Sequence, residues 1–78
     1  RKSAEQGHTE SQYKLGLIYV LGKGVHKDYV MAHMYFNIAA LSGDKTAIEY
    51  RDLIAKEMTP SQLEKAQDLA REWMRKHQ

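Results

Sequence analysis

Small and apolar residues recur every three or four positions in four stretches of the chain, and each stretch predicts one helix. In the first stretch the clearest stripe is Ser11, Leu15, Ile18 and Tyr19. The apolar run 17–21 would also suit a short buried strand, but the chain offers no second strand to pair with it. The pattern therefore predicts an all-α chain of about four helices.

The first helix is predicted to end at a glycine turn. Gly22 and Gly24 stand at its end, where glycine adopts the left-handed conformation at little cost. Asp28 is a candidate N-cap for a second helix that runs to about Leu41. The apolar stripe of this second helix is Ala32, Tyr35, Phe36, Ala39 and Ala40.

A second glycine turn is predicted at Ser42-Gly43, which stops the second helix. Asp44 follows as the candidate cap of a third helix. Along one face of the third helix stand Ala47, Tyr50, Ile54 and Met58.

The strongest local signal is the start of the fourth helix. Thr59 is a capping residue, Pro60 occupies the first helical position and Gln62 the third, which completes a capping box. Met58 and Leu63 occupy the two positions of a hydrophobic staple. The stripe of the fourth helix is Leu63, Ala66, Ala70 and Trp73.

The beginning of the chain resembles a later segment of the same chain, which indicates an internal repeat. Ala4 and Gly7 recur 36 residues later as Ala40 and Gly43, each pair at a helix end followed by a glycine turn. We therefore expect a turn at Gly7 and a helix start at Thr9, with Gln12 completing a capping box. A period of this length indicates stacked helical repeats.

Residues 9–44 resemble the Sel-one-like repeat family, relatives of tetratricopeptide repeats. Segment 11–19, which contains Leu15-Gly16 and Tyr19, is similar to that family's first helix. The turn Gly22-Lys23-Gly24-Val25 resembles its Gly-x-Gly-Val signature, and the stripe from Ala32 to Ala40 with Gly43 resembles its second helix. Residues 45–78 depart from the pattern, because Arg51-Asp52 replace Leu-Gly and the glycine loop is missing.

The resemblance implies an α/α superhelix, a solenoid of antiparallel helical hairpins. We interpret residues 1–7 as the tail of a preceding repeat, 8–44 as one complete repeat and 45–78 as a degenerate C-terminal capping hairpin. The chain begins at Arg1 without a methionine, so we expect it to be part of a longer protein. The residues expected to pack are Leu15, Gly16, Tyr19, Gly22, Gly24, Ala32, Tyr35, Phe36, Ala39, Ala40, Gly43 and Trp73.

Composition narrows the function classes. The chain has 78 residues, 42% hydrophobic and 28% charged, which is typical of one small globular domain. Its net charge of +2, from 12 basic and 10 acidic side chains, predicts no nucleic-acid partner. No apolar run approaches the ~18–20 residues of a transmembrane helix. In bacteria the resembled family includes exported and cytoplasmic proteins, so the compartment is not predicted.

Candidate chemistry is sparse, and we predict neither an enzyme nor a cofactor. There is no cysteine, and no serine lies in a nucleophile elbow. Gly22-Lys23-Gly24 lacks the spacing of a phosphate loop. The histidines show no i, i+4 pair, so we predict no metal site and expect exposed side chains. They are His8, His26, His33 and His77.

The basic segment 71–77 allows two interpretations. It could contact an anionic membrane or a calmodulin-like groove. However, Glu64, Asp68 and Glu72 interleave with its cations, which favours a capping helix with Trp73 packed in the core.

In the resembled family the first helix of each hairpin lines a concave surface that binds other proteins. The resemblance thus implies a non-catalytic interaction module for a protein or peptide. On the first helix it points to Glu10, Tyr13, Lys14 and Leu17, and through the 36-residue offset to Glu49, Tyr50 and Leu53. For Tyr13, packing between repeats is an equal alternative. The other functions considered are self-association as a homo-oligomer and a scaffold attached to a distant catalytic or regulatory domain.

Overall fold

Four helices account for most of the chain. The computed structural model describes the backbone of residues 2–76 and the side chains of residues 9–76. The helices are α1 (Lys2–Leu21), α2 (Tyr29–Leu41), α3 (Lys45–Ala55) and α4 (Pro60–Lys76). The all-helical prediction is confirmed, and the run 17–21 belongs to α1 rather than to a strand.

The start of α1 differs from the prediction. The helix passes through Gly7 and Thr9 without a break, so the predicted turn and the predicted cap at Thr9 are wrong. An interior glycine costs a helix only about 1 kcal/mol relative to alanine, which a helix of 20 residues tolerates. Gln12, expected to complete the capping box, is instead a buried residue with 8% of its surface exposed.

Capping aspartates begin α2 and α3 as predicted. The Asp28 carboxylate accepts a hydrogen bond from the backbone N–H of Met31 at 3.2 Å. The Asp44 carboxylate accepts one from the N–H of Ala47 at 3.1 Å. Before each cap the chain reverses at glycines with positive φ, and Gly43 has a φ of 96°. Short turns therefore connect α1 to α2 and α2 to α3 as antiparallel pairs.

The capping box of α4 is also confirmed. The Thr59 N–H donates to the side-chain oxygen of Gln62 at 2.9 Å, and the Gln62 N–H donates to the Thr59 hydroxyl at 3.1 Å. Both staple residues lie against the protein, with Met58 buried and Leu63 half-buried. The local sequence alone therefore determines where α4 begins.

The core is centred on α2, which packs against α1, α3 and α4. Phe36 is the largest fully buried side chain. One core cluster consists of Ala32, Phe36, Ala39, Ala40, Ala47, Ile54, Met58 and Ala66. A second cluster consists of Met34, Ile38 and Ala70, with Met31, Tyr35, Leu69 and Trp73 packed against it. Alanines at most of the contact positions let the helices approach closely.

A close approach at Gly16 sets how α1 faces α2. A Cβ atom on Gly16 would lie 2.7 Å from Cε1 of Phe36, closer than packed atoms allow. The face of α1 that packs on α2 is therefore the one that carries Gly16 and Gln12. Leu15, expected to pack in the core, is 37% exposed, since adjacent residues are rotated about 100° around a helix.

The half-buried aromatic residues Tyr19 and Tyr35 stack at the rim of the α1–α2 contact, with ring centroids 5.9 Å apart. Trp73 is half-buried rather than enclosed, and packs against the second core cluster. The outer face of α4 carries ion pairs of Arg71 with Asp68 and of Arg75 with Glu72. We therefore describe α4 as a packed helix with a polar outer side.

Candidate functional site

Three aromatic rings join α1, α2 and α3 at one point. The centroids of Tyr13 and Tyr50 are 5.8 Å apart. Both rings also contact Phe36, at 5.9 Å from Tyr13 and 5.6 Å from Tyr50. This aromatic cluster (Tyr13, Phe36 and Tyr50) brings two of the predicted partner-binding residues together, although they are far apart in sequence.

The two helices that meet at the aromatic cluster, α1 and α3, both pack against α2. Because α1 and α3 each run antiparallel to α2, they point in the same direction. Tyr13 and Leu17 are one turn apart on α1, and Tyr50 and Leu53 are one turn apart on α3. We call this shared surface the α1–α3 face and define it by Glu10, Tyr13, Lys14, Leu17, Glu49, Tyr50 and Leu53.

The α3 half of this face is open to solvent. Tyr50 is 37% exposed and Leu53 is 55% exposed, while Glu49 beside them is also exposed. Tyrosine is enriched at contact surfaces between proteins, because its ring combines a large apolar area with a polar hydroxyl. The apolar area on α3 is therefore available to a partner without any rearrangement.

The α1 half is divided between packing and solvent. Tyr13 and Leu17 are half-buried and pack against the first core cluster. Glu10 and Lys14 are exposed and form an ion pair at 3.7 Å, one turn apart. Such an exposed pair stabilises a helix by only about 0.3–0.5 kcal/mol, so both charges remain available to other groups.

Burial raises the pKa of Tyr13, and the hydrogen bond with the Tyr50 hydroxyl raises it further. The negative charges of Tyr50, when ionised, and of Asp44 act in the same direction. The Tyr13 hydroxyl is therefore neutral over the whole physiological range and offers the α1–α3 face a neutral hydrogen-bonding group.

The expectation that the histidines are exposed is wrong for His33. Its side chain is only 4% exposed, and its Nδ1 atom is buried without a hydrogen-bond partner. The sequence did contain a signal, since α2 is apolar around most of its circumference and a helix of that kind is buried. His26 is exposed in the turn, and His8 and His77 lie outside the residues whose side chains are described.

A polar contact crosses from α3 to α2 close to this histidine. Arg51 donates from its guanidinium to the side-chain oxygen of Asn37 at 3.0 Å. Arg51 stands where the resembled pattern has leucine, so the departure from the pattern places a charged group against α2. No feature of the sequence pairs Arg51 with Asn37, because the contact depends on the angle at which the helices pack.

An open cleft of about 260 Å³ lies where the starts of α2 and α4 meet. Its lining residues are Lys27, Asp28, Tyr29, Val30 and Gln62. The Lys27 ammonium lies 5.8 Å from the centre of the Tyr29 ring, within the range of a cation–π contact. None of the predicted site residues lines this cleft, and only the docking of α4 creates it.

Neither a metal cluster nor a membrane-spanning helix occurs among the described residues. They contain no group of three or more histidine, aspartate or glutamate side chains placed to hold a metal ion. Among the helices they form, none combines the length and the apolar character that a membrane crossing requires.

Comparison with known proteins identifies the repeat. A family model described as Sel1 repeat matches residues 9–44 and 60–76, which together make up more than half of the chain. The first match runs from α1 to the cap of α3, and the second lies in α4. A search of curated proteins found no match.

Proposed function

Because the chain belongs to the Sel1 repeat family, whose members generally mediate protein–protein interaction, we propose that it binds a protein or peptide on the α1–α3 face. The observation that carries the proposal is the contact between Tyr13 and Tyr50. This contact joins α1 and α3 into one surface, with the exposed side chains of Leu53 and Glu49 on one side and Lys14 on the other.

The proposed role is that of a non-catalytic adaptor. Members of the Sel1 repeat family are generally interaction modules without catalytic activity. We propose that residues 8–44 form one complete repeat and that 45–78 form the capping hairpin, with α4 turning its polar side to water. The Tyr50 ring and Leu53 would then supply apolar contact area, and the charges of Glu10, Lys14 and Glu49 would align the partner.

The structure changes which substitutions test this proposal. Tyr13 and Leu17 are half-buried against the core, so replacing them would disturb the fold together with the surface. Leu53 is 55% exposed on the α1–α3 face, and Leu41 is 61% exposed at the end of α2. Leu53→Ser and Leu41→Ser therefore remove similar exposed apolar side chains from different surfaces.

The experiment uses the wild-type chain and these two variants to capture proteins from a cell lysate. Mass spectrometry then quantifies each captured protein. We expect a partner that is retained by the wild type and by L41S but at least about tenfold depleted with L53S, which is the loss expected for a contact worth ~1.4 kcal/mol. Circular dichroism checks that both variants keep the helical fold. Equal capture by L53S and L41S of every retained protein would overturn the placement of the site.

A second candidate function is self-association. Leu15, Leu21 and Val25 are exposed on or just after α1, with exposed fractions of 37%, 61% and 42%. A second copy could bury this apolar surface across a twofold axis. Light scattering from dilute to concentrated solution tests the idea, because a constant monomer mass excludes it, and Leu21→Ser should weaken any dimer that does form.

A further inference from the structure

A titratable side chain lies inside the α2 packing without a partner for one of its polar atoms. His33 is 4% exposed, and its Nδ1 atom makes no hydrogen bond. Buried polar groups are nearly always hydrogen-bonded, so an unpaired one calls for an explanation. The proposed interaction face does not use His33, which leaves its role open.

The surroundings of His33 include a positive charge. His33 and Asn37 are four residues apart and so lie on the same side of α2. Asn37 accepts the hydrogen bond from Arg51 of α3 at 3.0 Å, which brings the guanidinium to this side of α2. The neighbouring Asp52 is exposed on α3 and forms an ion pair with Arg51 at 3.3 Å.

The other helices packed on α2 present uncharged residues to it. The buried core residues of α4 are Ala66 and Ala70, and Gly16 of α1 lies against the ring of Phe36. The charged groups that act on His33 are therefore Arg51, which opposes a positive charge there, and Asp52, which favours one less strongly.

We infer that His33 is a proton-sensitive latch between α2 and α3, closed while its imidazole is neutral and opened when the imidazole takes up a proton from solvent. The neutral ring fits a buried site that offers its Nδ1 atom no partner. The imidazolium ion has a proton on both nitrogens and needs an acceptor for each. Because Nδ1 has none and the Arg51 guanidinium lies nearby, α3 must move away from α2 so that water can solvate the charge.

The pH range in which the latch opens follows from the direction in which folding shifts the pKa of His33. Burial is the largest cause that lowers the pKa of His33 from its usual value near 6.5, and the charge of Arg51 lowers it further. The unfolded chain therefore binds the proton more tightly than the folded chain does. The contribution of neutral His33 to stability is full above a pH of about 6.5 and falls as the pH decreases below it, by at most tenfold in the unfolding constant per pH unit for one proton.

One consequence rests on the proposed function. Tyr50 and Leu53 are both on α3, so acid opening of the latch would also take apart the α1–α3 face and release a bound partner. The latch itself is a property of the fold and is tested without any partner.

The first test follows the His33 ring by NMR in the full chain while the pH is lowered, with His33→Gln used to assign its signals. The expected result is a titration midpoint below that of a histidine in a peptide. Arg51→Met should move this midpoint upwards, because it removes the opposing charge. A midpoint at or above the peptide value in the wild-type chain overturns the latch, whatever the variants do.

The second test measures urea unfolding of the wild type, His33→Gln and His26→Gln between about pH 7.5 and about pH 5. We expect the unfolding constant of the wild type and of H26Q to rise as the pH falls. The unfolding constant of H33Q should rise less steeply, and the difference from the wild type should be at most about tenfold for each pH unit below about 6.5. Equal pH dependence in H33Q and the wild type would overturn the assignment.

Amide hydrogen exchange, corrected for its intrinsic pH dependence, locates the opening in the wild type. Faster exchange on acidification in α3 (Lys45–Ala55) than in α1 supports the latch. Equal acceleration in all four helices would show global unfolding and contradict a local release of α3. Because these measurements need no partner, they can succeed even if the proposed function fails.

Discussion

At the scale of single residues, the packing of α1 depends on the absence of one side chain. The ring of Phe36 lies so close to the backbone of Gly16 that a Cβ atom there would stand only 2.7 Å from it. This one approach turns the Gln12 side of α1 inward and leaves Leu15 partly in solvent. The glycine at position 16 therefore has more influence on which face of α1 packs against α2 than the neighbouring leucine of the apolar stripe.

Substitution of this glycine should destabilise the chain. In Gly16→Ala the added Cβ forces Phe36 to shift, at a cost of about 1–3 kcal/mol, while alanine returns about 1 kcal/mol of helix propensity. We expect a net decrease of up to about 2 kcal/mol in the free energy of unfolding, measured by urea denaturation. Ser11→Ala, an exposed change on the same helix, is the control and should have little effect.

The physical reason can be checked in the same assay. Phe36→Leu alone leaves a cavity and should destabilise the chain. In the double variant, however, the same cavity provides room for the methyl group that Gly16→Ala adds. The double variant G16A/F36L should therefore lose less stability than the sum of the two single variants. Strict additivity would mean that the clash with the Phe36 ring is not the cause.

A tyrosine gives a second prediction at this scale, for alkaline pH. The pKa of Tyr13 is raised in the folded chain, chiefly by burial, so the unfolded chain loses this proton first. The contribution of Tyr13 to stability is therefore constant below a pH of about 10 and decreases as the pH rises past it. Tyr13→Phe should show a smaller loss between about pH 9 and about pH 11 in urea denaturation. An unchanged loss would contradict the environment described for Tyr13.

At the scale of the helix, the ends were predictable and the buried faces were only partly so. The caps at Asp28, Asp44 and Thr59 lie within three residues of the N–H groups they bind, so the local sequence contains the whole interaction. The break expected at Gly7 was wrong, because a glycine permits a turn without requiring one. A local signal thus determines an element only when both partners of the interaction are nearby in sequence.

The cap of α4 can be measured directly. Thr59→Ala removes the hydroxyl that accepts the N–H of Gln62 and should lower the free energy of unfolding by about 1 kcal/mol. Ser61→Ala changes an exposed hydroxyl in the same turn and serves as the matched control. Because Thr59 and Gln62 cap each other, a T59A/Q62A double variant should lose less than the sum of its parts. Additive losses of stability from the two substitutions would contradict a reciprocal capping box.

At the scale of the whole molecule, α2 is the element on which the other three depend. It packs against α1, α3 and α4, and it supplies members to both core clusters. The outer helices have polar sides and contribute fewer buried residues. Stability should therefore be distributed unevenly, with α2 opening only when the chain unfolds as a whole.

Native-state hydrogen exchange tests this order. Amides in the middle of α2 (Tyr29–Leu41) are expected to exchange most slowly, with free energies of opening close to the global value from denaturation. Amides of α4 should exchange faster, since its outer face is exposed. The expectation fails if α4 is as protected as α2.

Much of this protein was determined by the sequence alone. Residues that are close together or recur at a fixed offset determine the caps of α2, α3 and α4, the glycine turns after α1 and α2, the repeat and the family. The tertiary structure alone decided that Gln12 is buried, that Arg51 reaches Asn37, and that Tyr13 meets Tyr50. These features depend on the rotation of each helix about its axis, which is set by close packing between residues distant in sequence.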